Sequence, residues 1–146
     1  MFKIIPFQPK YRDDMIFCLL AAKDALGKAP RLSEDLLDIQ GNYFDQNDMF
    51  WIAVNDNDRV VGMIGTNTVS ATDMWLKRLY VKPEMKRKGI ASSLLAAVED
   101  YAQAKGITTL HTRFSDDYTE APRFYAAKGF MEVGHGDGAR HLVKTI

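Results

Sequence analysis

The chain is nearly without cysteine: Cys18 is its one thiol in 146 residues. That excludes an internal disulfide framework and fits a reducing compartment, so the expected location is cytoplasmic. Net charge is also missing. Nineteen Lys and Arg balance nineteen Asp and Glu, which removes the general electrostatic argument for a nucleic-acid or membrane partner. No apolar run is long enough to span a bilayer. The start, Met1 to Pro6, lacks the apolar core of a signal peptide. Histidine is scarce too. His135 and His141 stand without carboxylates or cysteine at metal-ligand spacing, so no metal is assigned. There are no repeats and no low-complexity segments, and the length suits one domain, residues 1–146, with a real core.

What is present is a mixed pattern of strands and helices. Phe2 to Phe7 reads as a strand, ended by Pro6 and Pro9. Met15, Cys18, Leu19, Ala22 and Leu26 recur at helical spacing, with Gly27 as the stop. Ser33 looks like the N-cap of a second helix carrying Leu36, Leu37, Gln40 and Tyr43. Met49 to Val54 and Arg59 to Val69 form a hairpin around Asn55-Asp56-Asn57-Asp58. In that second strand Gly62 and Gly65 would let another element approach closely. Further on, Ala91, Leu94, Leu95, Val98 and Ala102 make a helical stripe closed by Lys105-Gly106. A strand over Thr108 to Phe114 and a short helix over Glu120 to Lys128 follow. Two final strands, Phe130 to His135 and Arg140 to Ile146, join through Gly136-Asp137-Gly138-Ala139.

The strand from Thr72 to Val81 carries an irregularity. Met74 and Leu76 share one parity, Leu79 and Val81 the other. Strict alternation puts the two pairs on opposite faces. One inserted residue near Lys77-Arg78 would restore a common face, as a β-bulge does. A strand covered on both faces would also explain the pattern.

That strand runs on through Lys82-Pro83-Glu84-Met85-Lys86-Arg87-Lys88-Gly89 into the helix beginning near Ile90. A helix N-terminus offers unpaired backbone N–H groups and the positive end of a dipole, so a tight basic turn before it is a ready cradle for phosphate. Lys82, Lys86, Arg87 and Lys88 would also suit a nucleic-acid patch, but no aromatics are interleaved with them.

These residues resemble the signatures of the GNAT superfamily of N-acetyltransferases. The family pattern of Arg or Gln, two variable residues, Gly, one variable residue, and Gly or Ala falls on Lys86-Arg87-Lys88-Gly89-Ile90-Ala91. Leu79 to Glu84 resembles the family's fourth strand with its Pro-containing exit. Ala121 to Phe130, with the pair Phe124-Tyr125 before Gly129-Phe130, resembles its second signature. Leu142-Val143-Lys144 resembles its closing strand. Two departures stand out: Lys86 replaces Arg or Gln, and Tyr118 stands where many members carry Asn.

The resemblance implies an α/β (α+β) fold: a mixed, mostly antiparallel sheet of six or seven strands flanked by about four helices. It implies acetyl-CoA as co-substrate, with the pyrophosphate on Lys86, Arg87, Lys88, Gly89, Ile90, Ala91 and Ser92 and the pantetheine arm paired with Leu79, Tyr80 and Val81. An N–H beside the bulge could polarise the thioester carbonyl. Tyr125 takes the place of the general acid, since a phenol can protonate a departing thiolate. By residue type alone it is an ordinary core aromatic. The base stays open among Asp73, Glu84, Asp116, Glu120, His111 and a water relay. Cys18, on an apolar stripe, reads as a packed thiol, so direct transfer is expected. Acidic Glu34, Asp35 and Asp38 would attract a cationic acceptor, or simply form a solvated face. The implied reaction is acetyl transfer to a primary amine of a small molecule. Acetylation of a protein N-terminus or lysine, and a non-catalytic acyl-CoA-binding regulatory domain, are the alternatives. The resemblance also allows a homodimer, the state of many relatives.

Overall fold

The computed structural model describes residues 1–29 and 31–146. In chain order the elements are β1 (Phe2–Pro6), α1 (Arg12–Ala25), α2 (Ile39–Asn42), β2 (Phe50–Asn55), β3 (Val60–Thr68), β4 (Asp73–Val81), α3 (Ile90–Ala104), β5 (Thr109–Ser115), α4 (Ala121–Ala127), β6 (Met131–Gly136) and β7 (Ala139–Thr145). The strands make one sheet in the order β1-β2-β3-β4-β5-β7-β6. Every neighbouring pair is antiparallel except β4 and β5. Among the described residues, seven strands and four helices match the expected class.

Each face of the sheet has its own core. On one face Met74, Leu76 and Leu110 pack against Ile90, Leu94, Val98 and Ala102 of α3, with Tyr125 of α4 and Phe130 closing the cluster. On the other, Met15, Cys18 and Leu19 of α1 join Leu36 and Ile39 over Ile52 and Met63. Each wholly buried aliphatic side chain contributes about 1.5–3 kcal/mol. Gly62 sets how close α3 can come to β3. A Cβ there would lie 2.8 Å from Ile90 Cγ2 and 3.2 Å from Leu94 Cδ1, so the hydrogen is a packing requirement.

The bulge in β4 is present. Met63 pairs with Tyr80 and Gly65 with Lys77, so Ile64 alone opposes both Arg78 and Leu79. Arg78 takes a left-handed conformation, φ +57°. The parity shift then turns Leu79 and Val81 into the same cluster as Met74 and Leu76, while Tyr80 faces α1.

The expected helix from Ser33 is not continuous. It is two 3-10 turns, Glu34–Leu37 and Phe44–Gln46, around the single turn of α2. Ser33 makes no capping hydrogen bond. Asp38 leaves the helical region at φ −141° and accepts from the Gly41 N–H at 2.9 Å, restarting the chain as a new N-cap. Leu37 and Gln40 consequently face solvent, and Leu36, Ile39 and Tyr43 are the buried residues. The final hairpin turns on Asp137-Gly138 alone, both left-handed.

Candidate active site

The parallel pair β4–β5 is short. Asp73, Met74 and Trp75 pair with Thr109, Leu110 and His111, and the strands then part. From Leu76 onward that edge of β4 has no strand beside it. Where the strands separate, a cavity of about 340 Å³ opens between the end of β4, the start of α3, α4 and the C-terminal half of α1.

The residues expected at the site converge on this slot. Leu79, Tyr80 and Val81 form one wall, and Tyr125 another. Lys86, Arg87, Gly89, Ile90, Ala91 and Ser92 line the end nearest α3. Lys88 does not line it: its side chain is exposed, and it is the one member of the expected set outside the slot. Ala22, Leu26, Met85, Tyr118, Glu120, Ala121 and Phe124 complete the lining. The sequence carried little signal for Ala22 and Leu26, because small and apolar residues on a helical stripe look alike wherever they point.

The turn before α3 is wound tightly. Arg87 and Gly89 are left-handed at φ +65° and +82°, and α3 starts at Ile90 with Ser93 N–H donating to Gly89 O at 3.0 Å. The first-turn amides lack intrahelical acceptors. A Cβ on Gly89 would meet nothing within 4 Å. The conformation therefore favours glycine, and the space above it is open for a ligand. Lys86 bridges to Glu120 at 3.0 Å across the slot.

Tyr125 is 6% exposed. Its ring stacks on Phe114 at 5.7 Å and meets Phe124 and Phe130 edge-on at 5.2 and 5.1 Å. Burial pushes the phenol above its ordinary pKa, against the opposing hydrogen bond of Thr112. At neutral pH the group is a proton donor and no base. Burial likewise raises Tyr80, whose hydroxyl is 3.3 Å from that of Tyr118. Lys28 sits 4.4 Å over the Tyr118 ring and 2.8 Å from Asp117.

Asp35 does not attract a cationic ligand. Arg78 grips it bidentately at 2.7 and 3.1 Å, and the Tyr43 hydroxyl donates to it at 2.5 Å. Burial alone would raise this carboxyl; the hydrogen bonds from Arg78 and Tyr43 outweigh it and hold the group below the usual range. Asp38 is engaged as the cap of α2. Cys18 is wholly buried, and burial raises its thiol to about 12, which leaves no thiolate for nucleophilic attack.

The candidate bases scatter. Glu120 is paired with Lys86, Asp116 with His135 at 2.9 Å, and Glu84 is exposed on the turn before the cradle. Asp73 and His111 are brought together, 2.7 Å apart. Trp75 does not line the slot; it stacks on His111 and His141.

Residues 14–130 match the model of the Acetyltransferase (GNAT) family. Over 102 residues the chain is 30% identical to the probable N-acetyltransferase camello of Xenopus laevis, covering 68% of this chain and 46% of that protein. The chain spans about half the length of the curated relatives it matches. Among solved structures, a GNAT-family acetyltransferase of Staphylococcus aureus Mu50 superposes with TM-score 0.92 at 24% identity, covering 99% of each chain. The PaiA N-acetyltransferase of Thermoplasma acidophilum, solved in complex with coenzyme A, superposes with TM-score 0.83 at 19% identity over 100% of this chain and 99% of that one.

Proposed function

Since this chain belongs to the GNAT family of acetyltransferases, we propose that it transfers the acetyl group of acetyl-CoA to a primary amine by direct attack. The observation that carries this reading is the slot: an unpaired strand edge leading into a helix N-terminus, with a buried phenol on its wall. When bound, acetyl-CoA supplies an activated acyl thioester.

The left-handed turn at Arg87 and Gly89 and the first amides of α3 hold the pyrophosphate, with Lys86 and Arg87 beside them. The main-chain groups of Leu79, Tyr80 and Val81 pair with the pantetheine arm, replacing the partner that β5 does not provide. An N–H next to the bulge polarises the acyl carbonyl. Tyr125 delivers a proton to the departing sulfur and is kept protonated for that role by burial. Lys88 is solvated in this reading. The thiol of Cys18 is packed away, so no acyl-enzyme forms on it. A single cysteine in the chain fits a cytoplasmic location.

A panel of amines, amino acids, polyamines, aminoglycosides and peptides, assayed for thiol release from acetyl-CoA, tests the reading. Release with at least one small amine is expected. Release with peptides alone reassigns the acceptor to protein termini or lysines. Tight CoA binding without release from any acceptor would make this an acyl-CoA-binding regulatory domain, and absence of CoA binding would overturn the assignment altogether.

A further inference from the structure

Three rings from three strands stack on one face of the sheet. Trp75 of β4 lies 5.0 Å from His111 of β5 and 4.8 Å from His141 of β7, and the two imidazoles are 5.2 Å apart. Their chain neighbours Met74, Leu76, Leu110 and Leu142 point into the cluster under α3 and α4, so the rings occupy the opposite face. Within the stack, His111 Nδ1 is 2.9 Å from His141 Nε2, and His111 Nε2 is 2.7 Å from Asp73 Oδ1. Thr72 Oγ1 and Ser70 Oγ donate to the other carboxylate oxygen at 2.6 and 3.1 Å.

This chain of contacts holds a defined number of protons. An ionised Asp73 is an acceptor only, so His111 Nε2 carries a hydrogen. Only one proton fits between His111 Nδ1 and His141 Nε2. In the neutral pair that proton belongs to His141, which leaves a lone pair on its outer nitrogen, Nδ1. A proton arriving at Nδ1 displaces the shared one onto His111 Nδ1. The positive charge then sits on His111, against the Asp73 carboxylate. A second proton would set two N–H groups head to head at 2.9 Å and is excluded. Burial, then His111 and Arg113, lower the affinity of His141 for a proton; the cations facing the pair are Arg113 of β5 and Lys77 of β4, on the same face as Trp75. From β7 the neighbour across from His111 is the uncharged Val143.

The place of the relay in the fold gives it a use. Helices α3 and α4 fill one face beside the slot, which leaves the face of α1, past Ala22 and Leu26, for an amine approaching an acyl group held along Leu79 to Val81. Trp75 and His111 are the last paired residues before β4 and β5 part on that face. We propose that Asp73, His111 and His141 form a proton relay that accepts the proton of the incoming ammonium, through water, at His141 Nδ1. The ammonium N–H bond breaks, the nitrogen keeps its electron pair for attack, and the proton ends in the His111–His141 pair. His111 and Asp73 are positioning residues: they fix the tautomer of His141 and receive its charge. This inference rests on the acetyltransferase reading.

Two measurements on the full chain test it, the first without any acceptor. An NMR titration of the imidazoles should show the His111–His141 pair taking up one proton and not two. Asp73→Asn should move that uptake to lower pH. Two independent protonations on the pair would overturn the proposal. The second is thiol release from acetyl-CoA between pH 6 and 10 with phenethylamine, spermidine and alaninamide. His141→Gln should lower kcat/KM about tenfold or more at pH 7, with the deficit closing as the free amine becomes neutral near pH 10. An equal deficit at every pH would show that the stack only braces the strands. Wild-type protein releasing no thiol from any acceptor would sink the acetyltransferase reading instead, while the titration still decides whether the pair holds one proton.

Discussion

Replacing Tyr125 by Phe removes one oxygen and leaves the ring. The packing against Phe114, Phe124 and Phe130 is therefore retained. What is lost from stability is at most the polar interaction of the phenol with Thr112, no more than about 1 kcal/mol. What is lost from the proposed reaction is the proton that Tyr125 would give the departing sulfur. General acid catalysis contributes about 10²–10⁴-fold, so kcat should fall by that factor, equivalent to about 2.7–5.4 kcal/mol of barrier. CoA affinity by calorimetry should stay within about twofold, because the phosphates and pantetheine are held by main-chain groups elsewhere. The pH dependence follows from the raised phenol. A group whose pKa lies above the ordinary value of about 10 keeps its proton until the pH exceeds that value. The wild-type alkaline limb belonging to Tyr125 must lie above pH 10, and the variant must lack it. Stability gained by burying the neutral phenol is likewise intact below pH about 10 and lost as pH rises through the raised value. Turnover unchanged across the pH range, in a variant that binds CoA normally, would remove Tyr125 from the mechanism.

Other perturbations probe the cradle and the frame. Gly89→Asp combines left-handed strain of about 1–2 kcal/mol with a negative charge beside the pyrophosphate; calorimetry should show CoA binding at least about tenfold weaker, and equal affinity would refute the cradle. Gly62→Ala should cost about 1–3 kcal/mol in chemical unfolding, because the added methyl enters the space of Ile90 and Leu94; a neutral result would mean that α3 shifts freely. Asp35→Asn should destabilise by about 1–3 kcal/mol at pH 7 by weakening the grip of Arg78. A depressed carboxyl contributes stability above its unfolded pKa of about 3.9 and loses it as pH falls through the lower folded value. The variant's deficit should therefore shrink as pH falls below the unfolded value, and a deficit that does not change with pH would refute the ion-pair account.

Much of the site was legible because its signals are local. The parity break in Met74, Leu76, Leu79 and Val81 offered a bulge as one of two readings from four residues, and the proposed cradle from Lys86 to Ser92 lies within two turns of chain. The second helix was misread because periodicity counts apolar positions and is blind to Asp38, whose side chain captures a nearby amide and restarts the chain. Asp35 looked like a free acid until Arg78, 43 residues away, folded onto it. His111 stood among the candidate bases with no partner legible, for the same reason. Its partners Asp73 and His141 lie 38 and 30 residues distant, and no spacing rule links residues joined only by strand order. Lys88 belongs to the signature by sequence, yet its side chain leaves the turn on the solvent side.

The bulge at Arg78 also governs which changes of length this chain can survive. Substitution at a strand position alters one side chain. Loss of one residue between Lys77 and Leu79 would act as a frameshift in the strand. Leu79 and Val81 would turn out of the α3 core toward α1, and Tyr80 would swing from the α1 side into the space they left. The error would be carried through Lys82 to the start of α3, displacing the cradle along with the core. Insertions and deletions in relatives of this chain should therefore collect in surface segments such as the Asp56-Asn57-Asp58 turn, while the interval from Asp73 to Gly89 keeps a fixed count even where its residues differ.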